Sequence, residues 1–309
     1  MKKLPILTLF FVVFFCACTS DYNNVANTEE VPVEVTFSGL DISVVPDESL
    51  SPAAVKTRVP ADEAKVTRIA FKVYDSEGTE VYSVEKNKNT DSDFNNVRFP
   101  LHVGDYTFVA VAHRGKTENS KVATINTVSD ATLPEEHLPA AIYSKTMSVN
   151  ISGNTTQSVA FDFGKRITSS FSLIVNDKYP DDIEEIHITL NSSKSEADYP
   201  YHIDPSTGFA PTDCYYKDVF KRQSVSDKNF TGKRPISSFF LTAAEQTADV
   251  TIEMIDANDN ILYSRTLHGV TFRQHSTTKA TGSFFSSNVT GTFNFDTEDD
   301  PDINISLDQ

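Results

Sequence analysis

The chain has 309 residues, with 27 Lys and Arg against 43 Asp and Glu and a formal charge of -16. A surface that acidic repels phosphate backbones, which excludes nucleic acid as a partner. Tryptophan is absent while Phe (22) and Tyr (11) are plentiful, so apolar burial must be carried by phenyl rings and aliphatic side chains.

The first predicted element is a leader. Lys2 and Lys3 precede an apolar run from Leu4 to Phe15, and small residues follow around Cys16, Ala17 and Cys18, the order of a secretory signal. The run is too short to span a bilayer, which takes roughly 20 apolar residues. A lipoprotein peptidase needs a small residue before its cysteine. Ala17 satisfies that for Cys18, whereas Phe15 disqualifies Cys16, so residues 1–17 are predicted to be removed and Cys18 to be acylated by fatty chains such as palmitate. Losing Lys2 and Lys3 takes the formal charge to -18. With Cys18 blocked, Cys214 has no intramolecular partner, and no disulfide is expected. Residues 18–30 are polar and lack a hydrophobic period, which reads as a tether.

Beyond the tether the sequence alternates with a two-residue period, the mark of strands buried on one face. Val33, Val35 and Phe37 form a first strand, separated from the body of the first half by a loop containing Lys56 and Arg58. Ile69, Phe71 and Val73 alternate with Arg68, Ala70 and Lys72, and Asp75-Ser76-Glu77-Gly78 turns the chain into Val81 and Tyr82 as a hairpin. Val97, Phe99 and Leu101 lead through Val103-Gly104-Asp105 to Tyr106, Phe108, Ala110 and Ala112. Helical spacing is scarce, and only Pro134 to Ser144 has room for a helical turn or two. Val159, Phe161 and Phe163 come next, with Phe171, Leu173 and Val175 just beyond the step Gly164-Lys165-Arg166.

The second half repeats the style. Ile186, Ile188 and Leu190 form one strand; Ser192 to Pro235 is aperiodic and reads as a long excursion; and Val250, Ile252 and Met254 enter the turn Asp256 to Asn260 before Ile261 and Tyr263. The acidic run Asp296 to Asp302 reads as a solvated linker to a last strand of Ile303, Ile305 and Leu307. Many short strands with turns about every 8 to 12 residues predict β-sandwiches, in two sets of roughly seven strands. The expected division is residues 31–164 and 165–309.

Motifs for chemistry are missing. There is no G-x-S-x-G, H-E-x-x-H, C-x-x-C or phosphate-cradling glycine loop, so no catalytic residue, metal or cofactor is expected. The Asp256 to Asn260 turn lacks the glycine and distal glutamate of a calcium loop. Cys214, beside Tyr215 and Tyr216, would need a histidine base brought close in space to act as a nucleophile, and as a lone cysteine in a long excursion it is not expected to be catalytic.

A charged and apolar leader, a lipid cysteine and sandwich-type halves together resemble the fimbrillin superfamily of Bacteroidota, in particular its FimB-type anchor and assembly lipoproteins. The resemblance runs through Thr57-Arg58 ahead of Val66 to Asp75, Val103-Gly104-Asp105-Tyr106 before Val109 to Ala112, the strand-Arg166-strand step, and Leu267 to Val270 followed by His275 to Phe285. It implies two transthyretin-like sandwich domains that join other fimbrial subunits by strand donation. In stalk subunits of that family a protease cuts after a basic residue, here Lys56 or Arg58, and the freed groove receives a neighbour's strand. Val33, Val35 and Phe37, with Ile303, Ile305 and Leu307, are then the strand-exchange candidates. The expected place is the outer membrane, lipid-anchored at the surface, or the fimbrium itself. The acidic residues that favour surface export are represented in the tether only by Asp21. The alternatives are a stalk or tip subunit activated by cleavage near Arg58, and a lipoprotein that captures glycan or a host ligand; the absence of Trp counts against the glycan reading.

Overall fold

The computed structural model describes residues 30–40, 66–115, 117, 119–134, 142–191, 201–212, 215–221, 235–285 and 294–299, the last stretch by its backbone. Cys18, Lys56, Arg58, Cys214, Ile303, Ile305 and Leu307 lie outside these residues. All regular structure described is β. The first half supplies β1 (Glu30–Ser38), β2 (Arg68–Asp75), β3 (Glu80–Asn87), β4 (Asn96–His102), β5 (Gly104–His113), β6 (Thr124–Thr127), β7 (Asp130–Thr132), β8 (Ile142–Ile151) and β9 (Gln157–Asp162). The second supplies β10 (Ser169–Val175), β11 (Glu185–Leu190), β12 (His202–Ile203), β13 (Tyr216–Lys221), β14 (Ile236–Phe239), β15 (Glu245–Ile255), β16 (Ile261–Arg273), β17 (Ser276–Gly282) and β18 (Asn294–Asp299).

The sheets repeat one topology. In the first half, β4-β1-β9 packs on β3-β2-β5-β8; in the second, β14-β10-β17 packs on β13-β11-β15-β16. Directions match as well. β1 is antiparallel to β4 and parallel to β9, and β10 is antiparallel to β14 and parallel to β17. Within these sheets β18 has no counterpart, since it adds antiparallel to the far side of β17, and β6, β7 and β12 form a separate small sheet.

Two buried clusters fill the space between sheets. The first joins Val31, Val33, Val35 and Phe37 to Ile69, Phe71, Phe99, Phe108 and Phe161. The second gathers Phe171, Ile186, Ile188, Val250, Ile252 and Phe272 together with Ala70, Val109 and Val111 from the first half. The sheet β3-β2-β5-β8 is therefore buried on both faces at its centre, where alternation alone predicts one wet face. The hairpin β6–β7 supplies Ile125 and Ala131 to that second cluster.

The second face of β2 corrects the polar assignment of Arg68 and Ala70, which are 1 % and 4 % exposed. Arg68 is tolerated inside because its guanidinium donates to Ser120 O, Thr117 O, Thr67 O and Asn87 Oδ1 at 2.8–3.0 Å, meeting the need of a buried cation for several acceptors. His113 Nε2 accepts from Ala123 N beside it, so both ends of the segment entering β6 are tied to the sheet. Arg68→Ala should lower stability by about 3 kcal/mol by stranding those carbonyls, read as a fall in the urea midpoint.

The segment Ser192 to Pro235 contains β12 and β13. β12 pairs with β7 (His202↔Thr132, Ile203↔Ala131), so the supposed excursion extends the β6–β7 sheet. Pro134 to Ser144 is also corrected: Ile142 to Ser144 belong to β8, and 135–141 lie outside the described residues. The acidic run begins as strand, since Asp296 to Asp299 are the last residues of β18.

Both predicted hairpins use a carboxylate as their turn. Asp75 Oδ1 accepts from Glu77 N and Thr79 N, and Gly78 supplies a φ of 81°. Asp256 Oδ1 accepts from Asn258 N and Asn260 N in the same way, as turn chemistry expects. On β11, the Lys221 ammonium and then the His187 ring hold the Glu185 carboxyl below its ordinary 4.5. A carboxyl depressed in the folded state contributes stability above its unfolded value, lost as pH falls through the folded one. Glu185→Gln should accordingly flatten the loss of stability below pH 4.5, followed by denaturant midpoints across that range.

Candidate strand-exchange site

The strand-exchange candidates that the structure describes are Val33, Val35 and Phe37, and all three lie on β1. Its sequence, EVPVEVTFS, alternates without a break: Val31, Val33, Val35 and Phe37 are buried, and the residues between them face outward. β-branched valines favour the extended backbone, and Pro32 sits near the strand start, where a missing N–H costs little.

β1 lies in the middle of its sheet. It pairs with β4 from Glu30↔His102 to Thr36↔Asn96 and with β9 from Val33↔Gln157 to Ser38↔Asp162. Two further backbone bonds close its end, Phe37 N to Asn95 O at 2.8 Å and Phe163 N to Ser38 O at 3.1 Å. Neither partner is near in sequence. A strand that residues 39–67 separate from β2 in sequence thus fills a slot between strands far along the chain.

The slot is aromatic. The Phe37 ring meets Phe71, Phe161 and Phe163 with centroids 5.4, 5.8 and 6.0 Å away, the first two edge-on. Such contacts add about 0.5–1.5 kcal/mol each beyond burial. Phe71 also touches Phe99 and Phe108, and Tyr82 stacks on Phe99 at 4.1 Å. Burial, then the charge of Asp93, raises the Tyr82 phenol above its usual value.

Polar contacts along β1 are peripheral. Arg98 Nη2 lies 3.0 Å from Glu34 Oε1, and Thr36 Oγ1 lies 3.0 Å from Asn96 Oδ1. An exposed pair of this kind contributes about 0–1 kcal/mol. The contacts that hold β1 therefore reside in main-chain bonds and four apolar side chains.

Gly39 lets β1 end where it does. With φ at 75° it adopts a conformation that L side chains avoid, and a Cβ there would lie 2.4 Å from Asp162 Oδ1. Gly39→Ala should destabilise this end by about 1–3 kcal/mol through strain and contact, seen as faster hydrogen exchange at Phe37 and Ser38.

Among the described residues no group of three or more His, Cys, Asp and Glu is placed to hold a metal ion. Sequence reasoning found β1 but missed β4 and β9 as its neighbours; their alternating Val97, Phe99, Val159 and Phe161 were the available signal.

Residues 28–309 match the family described as fimbrillin-A associated anchor proteins Mfa1 and Mfa2. A comparison with curated proteins finds no similar sequence. Among solved structures the chain is similar to the fimbrial anchor protein Mfa2 of Porphyromonas gingivalis (11% identity, TM-score 0.45, 87% of this chain and 97% of that one). It is also similar to the tip fimbrial protein Mfa3 of the same species, truncated at its C-terminus (10%, 0.45, 87% and 99%). A third is a candidate polysaccharide-binding protein of Bacteroides thetaiotaomicron (12%, 0.49, 88% and 100%).

Proposed function

This chain belongs to the family of fimbrillin-A associated anchor proteins, and from that premise we propose that it holds a fimbrium to the outer membrane, docking its neighbour by β-strand complementation. The observation that carries the reading is the filled slot: β1 sits between β4 and β9 with Val31, Val33, Val35 and Phe37 buried. A subunit whose own first strand occupies its groove has no vacancy there for a neighbour's strand. That is the state suited to the end of a fibre.

The lipid argues the same way. In this reading residues 18–30 are a tether from acylated Cys18 to β1, followed by sandwich domains over 31–164 and 165–309. A cut after Lys56 or Arg58 would sever the acyl chains from everything beyond β1. A protein that holds a fibre to a membrane must stay whole across that loop, whereas a stalk subunit gains an acceptor groove from the cut. Ile303, Ile305 and Leu307 are the residues proposed to be donated to a neighbour.

The test is the N-terminus of protein recovered from the cell surface. The expected result is acylated Cys18 at the start of a chain that copurifies with fimbriae. A mature N-terminus at Val59 would overturn the anchor in favour of a stalk subunit, and full-length protein that retains polysaccharide but never copurifies with fimbriae would replace both with glycan capture.

A further inference from the structure

The internal repeat exposes a difference between the two halves. β9 and β17 occupy equivalent places, each parallel to the first strand of its half. On β17 the residues with buried side chains, Ser276, Thr278 and Ala280, turn their backbone groups toward β10, as Asn176 N bonding to Gly282 O shows. Thr277, Lys279 and Thr281 turn theirs outward, where β18 runs antiparallel from Asn294 to Asp299. The parity on β9 is identical. Phe163 N bonds inward to Ser38 O, so Val159 and Phe161 face β1 and their backbone alternates, Ser158, Ala160 and Asp162, face outward. Among the described residues β9 has no strand on that side.

The open edge has the form of an acceptor. It is six residues long, as β18 is, and Ser158, Ala160 and Asp162 are exposed and small enough to let another backbone approach. It contains neither proline nor bulge, two devices by which proteins blunt free edges. Its guard is Lys145 of β8, whose ammonium bonds to Asp162 O and lies 5.7 Å from the centroid of Phe161. A lysine there repels a basic strand and receives an acidic one. On the occupied edge register sets Lys279 of β17 itself opposite Asp296 of β18; on β9 the lysine is supplied by β8 and stands beside the edge's own Asp162.

We propose that the outer edge of β9 docks an extended segment of a neighbouring fimbrial subunit, laid antiparallel as β18 lies on β17 and carrying an acidic residue toward Lys145. This rests on the fimbrial reading above and adds to it a second contact, distinct from the β1 slot, which a filled slot leaves available. β18 of the same molecule cannot serve, because it is already committed to β17. Main-chain bonds would supply the affinity and the acidic residue the register.

The test uses full-length acylated protein and the fimbriae of the producing cells. Ala160→Pro deletes an outward N–H while Val159 and Phe161 keep their bonds to β1. The variant should recover roughly tenfold less fimbrial material. Lys145→Glu, which leaves the backbone intact, should weaken recovery by a similar factor and reduce its salt sensitivity. In the fimbria-bound wild type, exchange at the Ser158, Ala160 and Asp162 amides should slow at least tenfold relative to the free protein. Equal protection of these amides in the free protein would mean that another part of this chain already covers the edge, and the inference falls. Wild-type recovery by both variants sinks it while sparing the fimbrial reading; failure of the wild type itself to recover fimbriae overturns both.

Discussion

A chain lacking residues 30–38 should lose cooperative folding of its first half, and an added peptide of those nine residues should restore it. The burial of Val31, Val33, Val35 and Phe37 contributes about 1.5–3 kcal/mol for each side chain, together of the same order as the 5–15 kcal/mol that stabilises a whole domain. Removing β1 also strips hydrogen-bond partners from β4 and β9 at once. The measurement is calorimetry of the truncated chain with and without peptide. A single change at the centre of the slot should show the same effect in part: Phe37→Ala should cost about 3–5 kcal/mol, while Glu34→Ala, on the exposed face, should cost under about 1 kcal/mol. If the truncated chain keeps its full transition without peptide, the slot does not depend on its strand and complementation has no driving force.

Cys18→Ala should move the protein from the membrane fraction to the soluble one, or leave it as an uncleaved precursor. Each acyl methylene that enters the bilayer contributes about 0.8 kcal/mol, and two or three chains hold where one binds only reversibly. The change should therefore be close to complete. Cys16→Ala should change nothing, because Phe15 makes Cys16 a poor substrate while Ala17 precedes Cys18. Mass spectrometry that finds the diacylglyceryl group on Cys16 would overturn the assignment, and a Cys18→Ala variant that stays membrane-bound after its leader has been removed would show that the anchor lies elsewhere.

The architecture of the fold was legible wherever a strand buries one face only. Val33, Val35 and Phe37, the Asp75 hairpin and the Ile186 strand all read directly from a period of two. The reading fails where burial is two-sided or pairing is remote. Arg68 and Ala70 looked like a wet face, but β6–β7 and the second cluster cover it, and nothing local to β2 announces a cover supplied more than fifty residues away. β13 was hidden by Val219, which is 42% exposed on the outer face and so breaks the alternation of Tyr216 and Phe220. β12 is two residues long, too short for any period. The candidate site divides along the same line. The inward residues of β1 could be named from sequence, but its central place between an antiparallel and a parallel neighbour depends on pairing across the whole first half, which periodicity does not encode.

The central position of β1 also governs how the protein would bear load. Sheet hydrogen bonds run across the strands, so a pull that enters at Glu30 along the axis of β1 strains its bonds to β4 and β9 in shear, all together. A hairpin edge pulled at one end instead opens bond by bond. Forced unfolding is set by the rate of leaving the native state rather than by equilibrium stability, and a strand that must slide past both neighbours while withdrawing four side chains from a packed core leaves slowly. Tension entering at Glu30 would thus load β1 in shear against both neighbours at once.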